Sequence, residues 1–357
     1  MSFPIPSTPL ALALTAAVAV TVPATVFNMF WSKNKMPVDG RLVVITGGSQ
    51  GMGLSVAKLL AQKGANVAIV ARDRTKLAHA LTELETSAAR PGTQKFMFAS
   101  ADLTSSAECR RALDEIKAWG GVPDIVWTCA GAAVPGYFKD MDPDVLEGQV
   151  KTNYFSVMHT AHAAINLMAA SPLPEGAPQR HLIFTSTVMA FYTIAGYNAY
   201  SPAKAAIRTL ADGLRQECLL YGIDVHCCFP GTIYSPGFEV EQRTKPELTK
   251  ILEGSDEGQT PDVVAQMCVA RLEKGQTLVV TAFLGEAMRA GNWGGSPRGC
   301  WWFDTIMAWV IAVVWLVMGP MMDGDVTKYV KKHGVPVKGA KETKGIGGPG
   351  ERTAMFL

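Results

Sequence analysis

Short apolar runs alternate with longer stretches of helical periodicity through the middle of the chain. The apolar runs are typical of strands covered on both faces. They lie at residues 41–46, 66–70, 96–99, 124–127, 181–185, 224–229 and 277–281. Periodic patterns between them predict helices over 53–63, 74–86, 105–118, 143–169, 198–221 and 261–273. Regular alternation of this kind predicts an α/β fold in which one domain is built on a doubly wound parallel sheet.

An apolar segment precedes this region. Residues 1–32 carry no charged side chain, and residues 10–31 approach the length of about 30 Å that a helix needs to cross a bilayer. The first cations, Lys33 and Lys35, follow the segment, whereas a cleaved signal peptide has its basic region in front. Because the cations follow the apolar segment, an uncleaved anchor with its C-terminal side in the cytosol is favoured over a disordered or signal-like leader.

A second apolar segment, residues 305–322, follows the predicted sheet. Four tryptophans in or beside it give it the aromatic content of a membrane interface: Trp301, Trp302, Trp309 and Trp315. A predicted break at Gly319-Pro320, with lysines beyond it, keeps a re-entrant or in-plane segment as an alternative to a full span.

These patterns divide the chain into four parts. Residues 1–38 are expected to form a membrane anchor and linker, and residues 39–284 the folded domain. Residues 285–334 are expected to be a membrane-associated segment, and a loop over 284–299 is expected to lead from the folded domain into its apolar stretch. Residues 335–357, rich in glycine and lysine, are expected to be a flexible tail.

Composition excludes several classes of protein. With 48% hydrophobic and 18% charged residues, the chain of 357 residues is not intrinsically disordered. A net charge of +2 provides no basic field, so nucleic acid is a poor partner. The seven cysteines are scattered, with no C-x-x-C pair and no histidine at zinc spacing, so we expect no metal and no disulfide framework. We also expect a homo-oligomer, of a size that the sequence leaves open.

A glycine-rich turn joins the first strand to the first helix: Thr46-Gly-Gly-Ser-Gln-Gly-Met-Gly53. Glycines at such a turn allow a pyrophosphate to approach backbone amides and the positive end of the helix. The context predicts a Rossmann-type dinucleotide site. Its expected cofactor contacts in this turn are Gly47, Ser49, Gln50, Gly51 and Gly53.

The end of the second strand indicates which dinucleotide binds. A fold that uses NAD places an acid there, but this strand ends in Ala71-Arg72-Asp73, with the arginine first. A guanidinium can bind a 2′-phosphate, so Arg72 favours NADPH. Lys76, one turn further along, either assists Arg72 or is a surface charge.

Tyr200-Ser-Pro-Ala-Lys204 completes a pattern with the glycine turn. Together the two motifs resemble the short-chain dehydrogenase/reductase family over about residues 39–284. The tyrosine and lysine are four residues apart on a predicted helix, so the ammonium is expected to lower the phenol pKa and make Tyr200 a proton donor to a carbonyl. The resemblance also implies that Tyr200 and Lys204 contact the cofactor.

The resemblance implies further roles. It implies adenine contacts for Asp102 and Leu103, a structural and proton-relay role for Asn153, and a place for Ser235 on the nicotinamide side. Thr128-Cys-Ala-Gly131 departs from the family's N-x-A-G, so only Ala130 and Gly131 are carried over as cofactor-side backbone.

The catalytic hydroxyl also departs from the family pattern. It normally stands about thirteen residues before the tyrosine. That position is Thr187, with Ser186 beside it, and either hydroxyl could stabilise a developing oxyanion.

Within the family, residues 183–190 and 196–208 and the apolar ends resemble the fungal 3-ketodihydrosphingosine reductases. This implies an NADPH-dependent ketone reductase of sphingolipid synthesis that acts on the long-chain sphingoid-base ketone 3-dehydrosphinganine. It also implies a place in the endoplasmic reticulum membrane, with the catalytic domain facing the cytosol and the lipid bilayer as partner. The alternatives are a membrane-bound reductase of steroids, retinoids or ketoacyl chains, and a non-catalytic NADP(H) sensor or scaffold.

Overall fold

A computed structural model describes residues 34–254, 257–292 and 298–334. In these ranges, seven parallel strands form one sheet in the order β3-β2-β1-β4-β5-β6-β7. The strands are β1 (Leu42–Thr46), β2 (Asn66–Ala71), β3 (Phe96–Ser100), β4 (Ile125–Thr128), β5 (Arg180–Thr185), β6 (Ile223–Phe229) and β7 (Leu278–Val280). The predicted fold class and all seven predicted strands are confirmed.

Helices connect and flank the strands. Those before β6 are α1 (Gly51–Gln62), α2 (Arg74–Thr86), α3 (Ser106–Gly120), α4 (Pro143–Val150), α5 (Ser156–Ala169) and α6 (Tyr200–Glu217). Those after β6 are α7 (Pro236–Thr244), α8 (Glu247–Glu253), α9 (Pro261–Glu273), α10 (Phe283–Gly291) and α11 (Trp301–His333). A π-helical turn, Lys151–Phe155, joins α4 to α5 within the single helix predicted over 143–169.

The core lies in two layers, one on each face of the sheet. Side chains alternate along β1, so that Val44 packs in the layer with α3, α5 and α6, and Ile45 packs in the layer with α1, α2 and α9. All five residues of β1 are buried. Burial on both faces is why these strands are continuously apolar.

The strand order places the cleft. After β3 the chain returns to the middle of the sheet, where β4 pairs with β1 on the side opposite β2. The loops after β1 and β4 therefore leave in opposite directions. This leaves a crevice at the carboxyl ends of the strands, where open α/β sheets bind their ligands.

Three helices after β6 were not predicted from the sequence. Helices α7 and α8 are short and mostly polar, and α7 is defined by Ser235 as its N-cap and Pro236 in its first turn. The prediction of a loop over 284–299 is wrong in its first part, because helix α10 occupies Phe283–Gly291.

The predicted break at Gly319-Pro320 is also wrong, since α11 continues through Pro320. A proline removes one backbone donor but is tolerated where neighbouring groups satisfy the freed carbonyl. Helix α11 is the one helix in the described ranges that is long and apolar enough to cross a membrane. Its most apolar 18 residues have a mean hydropathy of 2.0, and 6% of them are buried.

A buried ion pair fixes the start of α11 to the rest of the domain. Asp304, which is fully buried, receives two hydrogen bonds from the guanidinium of Arg289 on α10, at 2.6 and 3.0 Å. The backbone amide of Gly299 donates to the same carboxylate at 2.8 Å. The proposed N-terminal anchor (10–31) and tail (335–357) lie outside the described residues.

Candidate active site

A cleft of about 1780 Å³ opens over the carboxyl ends of the strands. One side is formed by the glycine turn and the ends of β2 to β4, and the other side by α7, α8, α10 and α11. Tyr200 and Lys204 line the cleft between these two sides. We call them the cofactor side and the substrate side.

The glycine turn is packed so closely that side chains are excluded. A Cβ on Gly47, where φ is +68°, would lie 2.7 Å from the backbone nitrogen of Ala130. A Cβ on Gly53 would lie 2.3 Å from the Gly47 carbonyl oxygen. Gln50 precedes α1 without a side-chain cap, so the first amides of α1 are left to a ligand. This backbone cradle fits a dinucleotide pyrophosphate. Ser49, Gln50 and Gly51 also line it.

The end of β2 presents cations rather than an acid. The Asp73 carboxylate caps α2, accepting hydrogen bonds from the amides of Thr75 at 2.9 Å and Lys76 at 3.0 Å. Arg72 is exposed on the cleft lining, and Lys76 Nζ donates to Gln50 Oε1 at 3.0 Å. Asp73 is therefore occupied by the backbone, while Arg72 is placed to bind an anion.

The remaining cofactor residues of the prediction also line the cleft: Asp102, Leu103, Ala130, Gly131 and Ser235. A backbone hydrogen bond from Thr104 lowers the pKa of Asp102, so this carboxyl is ionised at neutral pH. Ser235 Oγ accepts from the Phe238 amide at 3.3 Å and faces Gly51, whose Cβ would lie 3.3 Å from the Ser235 Cβ.

Tyr200 and Lys204 stand in the first turns of α6. The Lys204 ammonium lies 5.7 Å from the centroid of the Tyr200 ring, and it donates to the Thr185 carbonyl at 3.1 Å. Burial lowers the pKa of Lys204 to about 8. Burial and the Glu241 carboxylate raise the pKa of Tyr200, whereas a hydrogen bond with Thr187 lowers it. The expected fall of the Tyr200 pKa toward neutrality is therefore not seen, because desolvation and the Glu241 carboxylate outweigh the lowering interaction with Thr187.

The two neighbouring hydroxyls have different partners. Ser186 Oγ is buried and donates to the Lys204 carbonyl at 2.8 Å. Thr187 lies close enough to Tyr200 to lower the pKa of its phenol, and Thr187 Oγ1 donates to the Pro230 carbonyl at 3.2 Å. Thr187 is thus the hydroxyl beside the phenol, while Ser186 ties β5 to α6.

Asn153 lies in the π-helical turn and is fully buried. Its Nδ2 donates to the Ala132 carbonyl at 2.8 Å and the Gln149 carbonyl at 2.9 Å, and its Oδ1 accepts from the Ala132 amide at 3.1 Å. A Cβ on Gly131 would contact both Asn153 Oδ1 and Lys204 Nζ. Asn153 therefore fixes the loop after β4 next to Lys204. Thr128, where the family has asparagine, is buried with its Oγ1 donating to the Ile183 carbonyl at 3.4 Å.

The substrate side contains residues that the sequence reasoning missed. Glu241 on α7 and Glu253 on α8 line the cleft, close to Tyr197. They lie in short helices without apolar periodicity, and no motif marks them. The other wall is apolar and comes from α11, through Ile311, Val314, Trp315, Met318, Met321 and Met322.

Comparison with known proteins agrees with this geometry. A family model described as short chain dehydrogenase matches residues 41–246, more than half of the chain. The match covers the cofactor side and Tyr200, and it ends before α8.

Curated relatives extend the similarity to most of the chain. The chain is 43% identical over 339 residues to 3-ketodihydrosphingosine reductase ksrA of Aspergillus fumigatus, and the alignment covers 89% of this chain and 92% of the relative. It is 39% identical to 3-ketodihydrosphingosine reductase gsl-3 of Neurospora crassa, covering 92% and 93%. A solved short-chain type dehydrogenase/reductase from Mycobacterium ulcerans aligns with a TM-score of 0.59 and 25% identity, covering 69% of this chain and 89% of the other.

Proposed function

Because the chain belongs to the short-chain dehydrogenase family, we propose that it reduces the ketone of 3-ketodihydrosphingosine (3-dehydrosphinganine) to the alcohol of sphinganine, using NADPH. The observation that carries the proposal is the 43% identity to a 3-ketodihydrosphingosine reductase along 89% of the chain. The similarity includes the region beyond residue 246, which contains α8, α10 and α11 of the substrate side of the cleft.

The family and fold imply a nicotinamide cofactor, and the cofactor side fits one. Support for NADPH over NADH comes from Arg72, which is exposed on the cleft lining with Lys76 one turn away, while Asp73 is held by the start of α2. A guanidinium at this place favours a 2′-phosphate, and the nearby Asp73 carboxylate accepts two backbone hydrogen bonds at the start of α2 through Oδ1. When bound, the cofactor supplies a hydride to the ketone carbon.

The proton comes from the chain itself. As the new C–H bond forms, the electron pair of the C=O π bond moves to the oxygen, which takes the phenolic proton of Tyr200 and becomes the alcohol. We assign the oxyanion contact to Thr187 because its hydroxyl lies beside Tyr200 and its bond to the Pro230 carbonyl, at 3.2 Å, is longer than the 2.8 Å bond that holds Ser186 to the Lys204 carbonyl.

Lys204 stabilises the tyrosinate that this step leaves behind. Its ammonium lies 5.7 Å from the Tyr200 ring centroid and is fixed by the Thr185 carbonyl. With a pKa of about 8, it is mainly charged at neutral pH. Asn153 positions the loop after β4 next to this ammonium through its hydrogen bonds with the Ala132 backbone.

The apolar helix α11 supports a membrane location. It exposes Trp301, Ile306, Trp309, Leu316 and Val317 in the described structure. A long-chain ketone partitions into lipid, so an enzyme at the bilayer surface meets it at high local concentration. We therefore propose that the protein is held at the endoplasmic reticulum membrane, with the catalytic domain on the cytosolic side and residues 10–31 as a further anchor.

The test is NADPH consumption by the purified, detergent-solubilised full chain over a panel of ketones. The panel contains 3-keto sphingoid bases of several lengths, steroid ketones and ketoacyl thioesters. We expect turnover with the 3-keto sphingoid bases and formation of sphinganine. Turnover confined to steroids or ketoacyl thioesters would overturn the proposed substrate. NADPH binding without turnover of any ketone would overturn the proposal that the protein is an enzyme.

A further inference from the structure

Four side chains form a cluster in the wall of the cleft: Glu241, Glu253, Lys245 and Tyr197. We call the two glutamates the acid pair. Lys245 Nζ lies 2.9 Å from Glu241 Oε1 and 2.9 Å from both carboxylate oxygens of Glu253. Tyr197 OH lies 2.7 Å from Glu253 Oε1 and also contacts Glu241. The cluster joins α7 to α8 on the substrate side.

The charges in this cluster do not balance. Two carboxylates share one ammonium, and the Lys245 ring contacts are with Tyr197 and Phe238, which carry no charge. The Lys245 side chain is 1% exposed, whereas Glu241 is 17% and Glu253 26% exposed. The cation therefore lies behind the acids, and the excess negative charge faces the cleft.

Glu241 retains an oxygen for a ligand. Both of its contacts are made through Oε1, and Oε2 has no hydrogen-bond partner among residues 34–254, 257–292 and 298–334. Carboxylate oxygens accept more than one hydrogen bond, so Oε2 can take a donor from the cleft.

The acid pair lies next to the proposed chemistry. The Tyr197 ring centroid is 6.0 Å from that of Tyr200, and Glu241 acts electrostatically on the Tyr200 phenol. Of the other charged groups on this side of the cleft, Asp325 is paired with Lys328 at 3.6 Å and Lys250 with Glu247 at 3.9 Å, and Glu257 adds one more carboxylate. A cation is therefore favoured close to the carbonyl that Tyr200 protonates.

The substrate of the proposed function has such a cation in the right place. A 3-ketosphingoid base carries an amino group on carbon 2, directly beside the ketone carbon, and this group is an ammonium at neutral pH. Steroid ketones and ketoacyl thioesters have no ammonium there. Given the proposed function, we infer that Glu241, supported by Glu253, binds the C2 ammonium of the substrate and so selects amino ketones over other long-chain ketones.

The physical reason is that a desolvated carboxylate without full compensation gains strongly from a cation. An ammonium bound at Glu241 also offsets the negative charge that opposes ionisation of Tyr200. Recognition of the amine and proton donation at the neighbouring carbon are then coupled.

The experiment compares two substrates that differ only in the amine. They are 3-ketodihydrosphingosine and its 2-deamino analogue, the 1-hydroxy-3-ketone of equal chain length. We expect Glu241→Gln to lower kcat/KM for the amino ketone by about 10- to 100-fold, the value of a charge-assisted hydrogen bond, and to change it for the analogue by less than about threefold. Glu253→Gln should act in the same direction, and Glu239→Gln, an exposed residue of the same helix, is the matched control.

A binding measurement supplies a second readout. Fluorescence titration with sphinganine and with its 2-deamino diol should show that Glu241→Gln weakens the binding of sphinganine and leaves the binding of the diol unchanged. Equal losses for both ligands, or equal wild-type efficiency with both ketones, would overturn the inference and leave the reductase function intact. A wild-type protein that reduces neither ketone would instead overturn the proposed function.

Discussion

The cofactor side of the cleft is built from backbone, whereas the substrate side is built from side chains on helices. On the cofactor side, Gly47 and Gly53 are fixed by backbone atoms of the turn itself and of the loop after β4. On the substrate side, α7 and α8 are joined through Lys245, and α11 is attached through the buried pair of Arg289 and Asp304.

This difference separates two kinds of specificity. A backbone cradle recognises what all dinucleotides share, the pyrophosphate, and needs few particular side chains beyond glycine. A wall of charged and apolar side chains can change its ligand by substitution without altering the sheet. We therefore expect variants on one side to affect one ligand, and variants between the sides to affect the reaction itself.

The largest effect is expected at Tyr200, between the two sides. Tyr200→Phe should lower kcat by about 10⁴-fold, the upper range for loss of a general acid, because the proton source is removed. Dissociation constants for NADPH and for sphinganine should change by less than about threefold, since the ring remains. Stopped-flow turnover and equilibrium titration measure the two quantities. Tyr221→Phe, an exposed tyrosine, is the control; retained turnover in Tyr200→Phe would remove Tyr200 as the acid.

The next effect separates the two hydroxyls. Thr187→Val keeps the shape of the side chain and should lower kcat by about 10²–10³-fold, as expected for a lost oxyanion donor. Ser186→Ala should mainly lower the free energy of unfolding, by about 1 kcal/mol, because a buried bond to the Lys204 carbonyl is lost. Steady-state kinetics and urea unfolding distinguish them. A larger loss of kcat in Ser186→Ala than in Thr187→Val would place Ser186 at the carbonyl of the substrate.

A smaller effect, confined to the cofactor side, is expected at Arg72. Arg72→Ala should raise the Kd of NADPH by about 10- to 100-fold and leave that of NADH nearly unchanged, because only NADPH carries the 2′-phosphate. The matched control is Arg74→Ala, two residues along and outside the cleft lining. Calorimetric titration of both cofactors gives the answer. Equal weakening of NADPH and NADH would make Arg72 a structural residue.

The smallest effect is expected on the apolar wall. Trp315 lines the cleft, whereas Trp309, on the same helix, does not and is 70% exposed. Trp315→Ala should raise the KM of a long-chain 3-ketone by about 5- to 20-fold and hardly change that of a short soluble ketone, since remote apolar contacts are lost. Trp309→Ala should change neither KM in detergent micelles. Equal behaviour of the two variants would reduce α11 to an anchor.

The sequence by itself determined the sheet and the cofactor turn. Strands buried on both faces must be apolar throughout, and a turn in which backbone meets backbone must be glycine, so both requirements are visible in local sequence. The pairing of Tyr200 with Lys204 is equally local, because residues four apart share a helix face.

Only the tertiary structure decided the electrostatics and the substrate side. The pKa of Tyr200 rises mainly because burial desolvates the phenol, and the spacing of motifs does not reveal burial. The choice between Ser186 and Thr187 depends on which carbonyl lies nearby. Glu241 contacts Tyr197, 44 residues earlier, only because the fold brings the loop before α6 next to α7. Interactions between distant parts of the chain leave no periodic pattern, and so they became visible only in the folded protein.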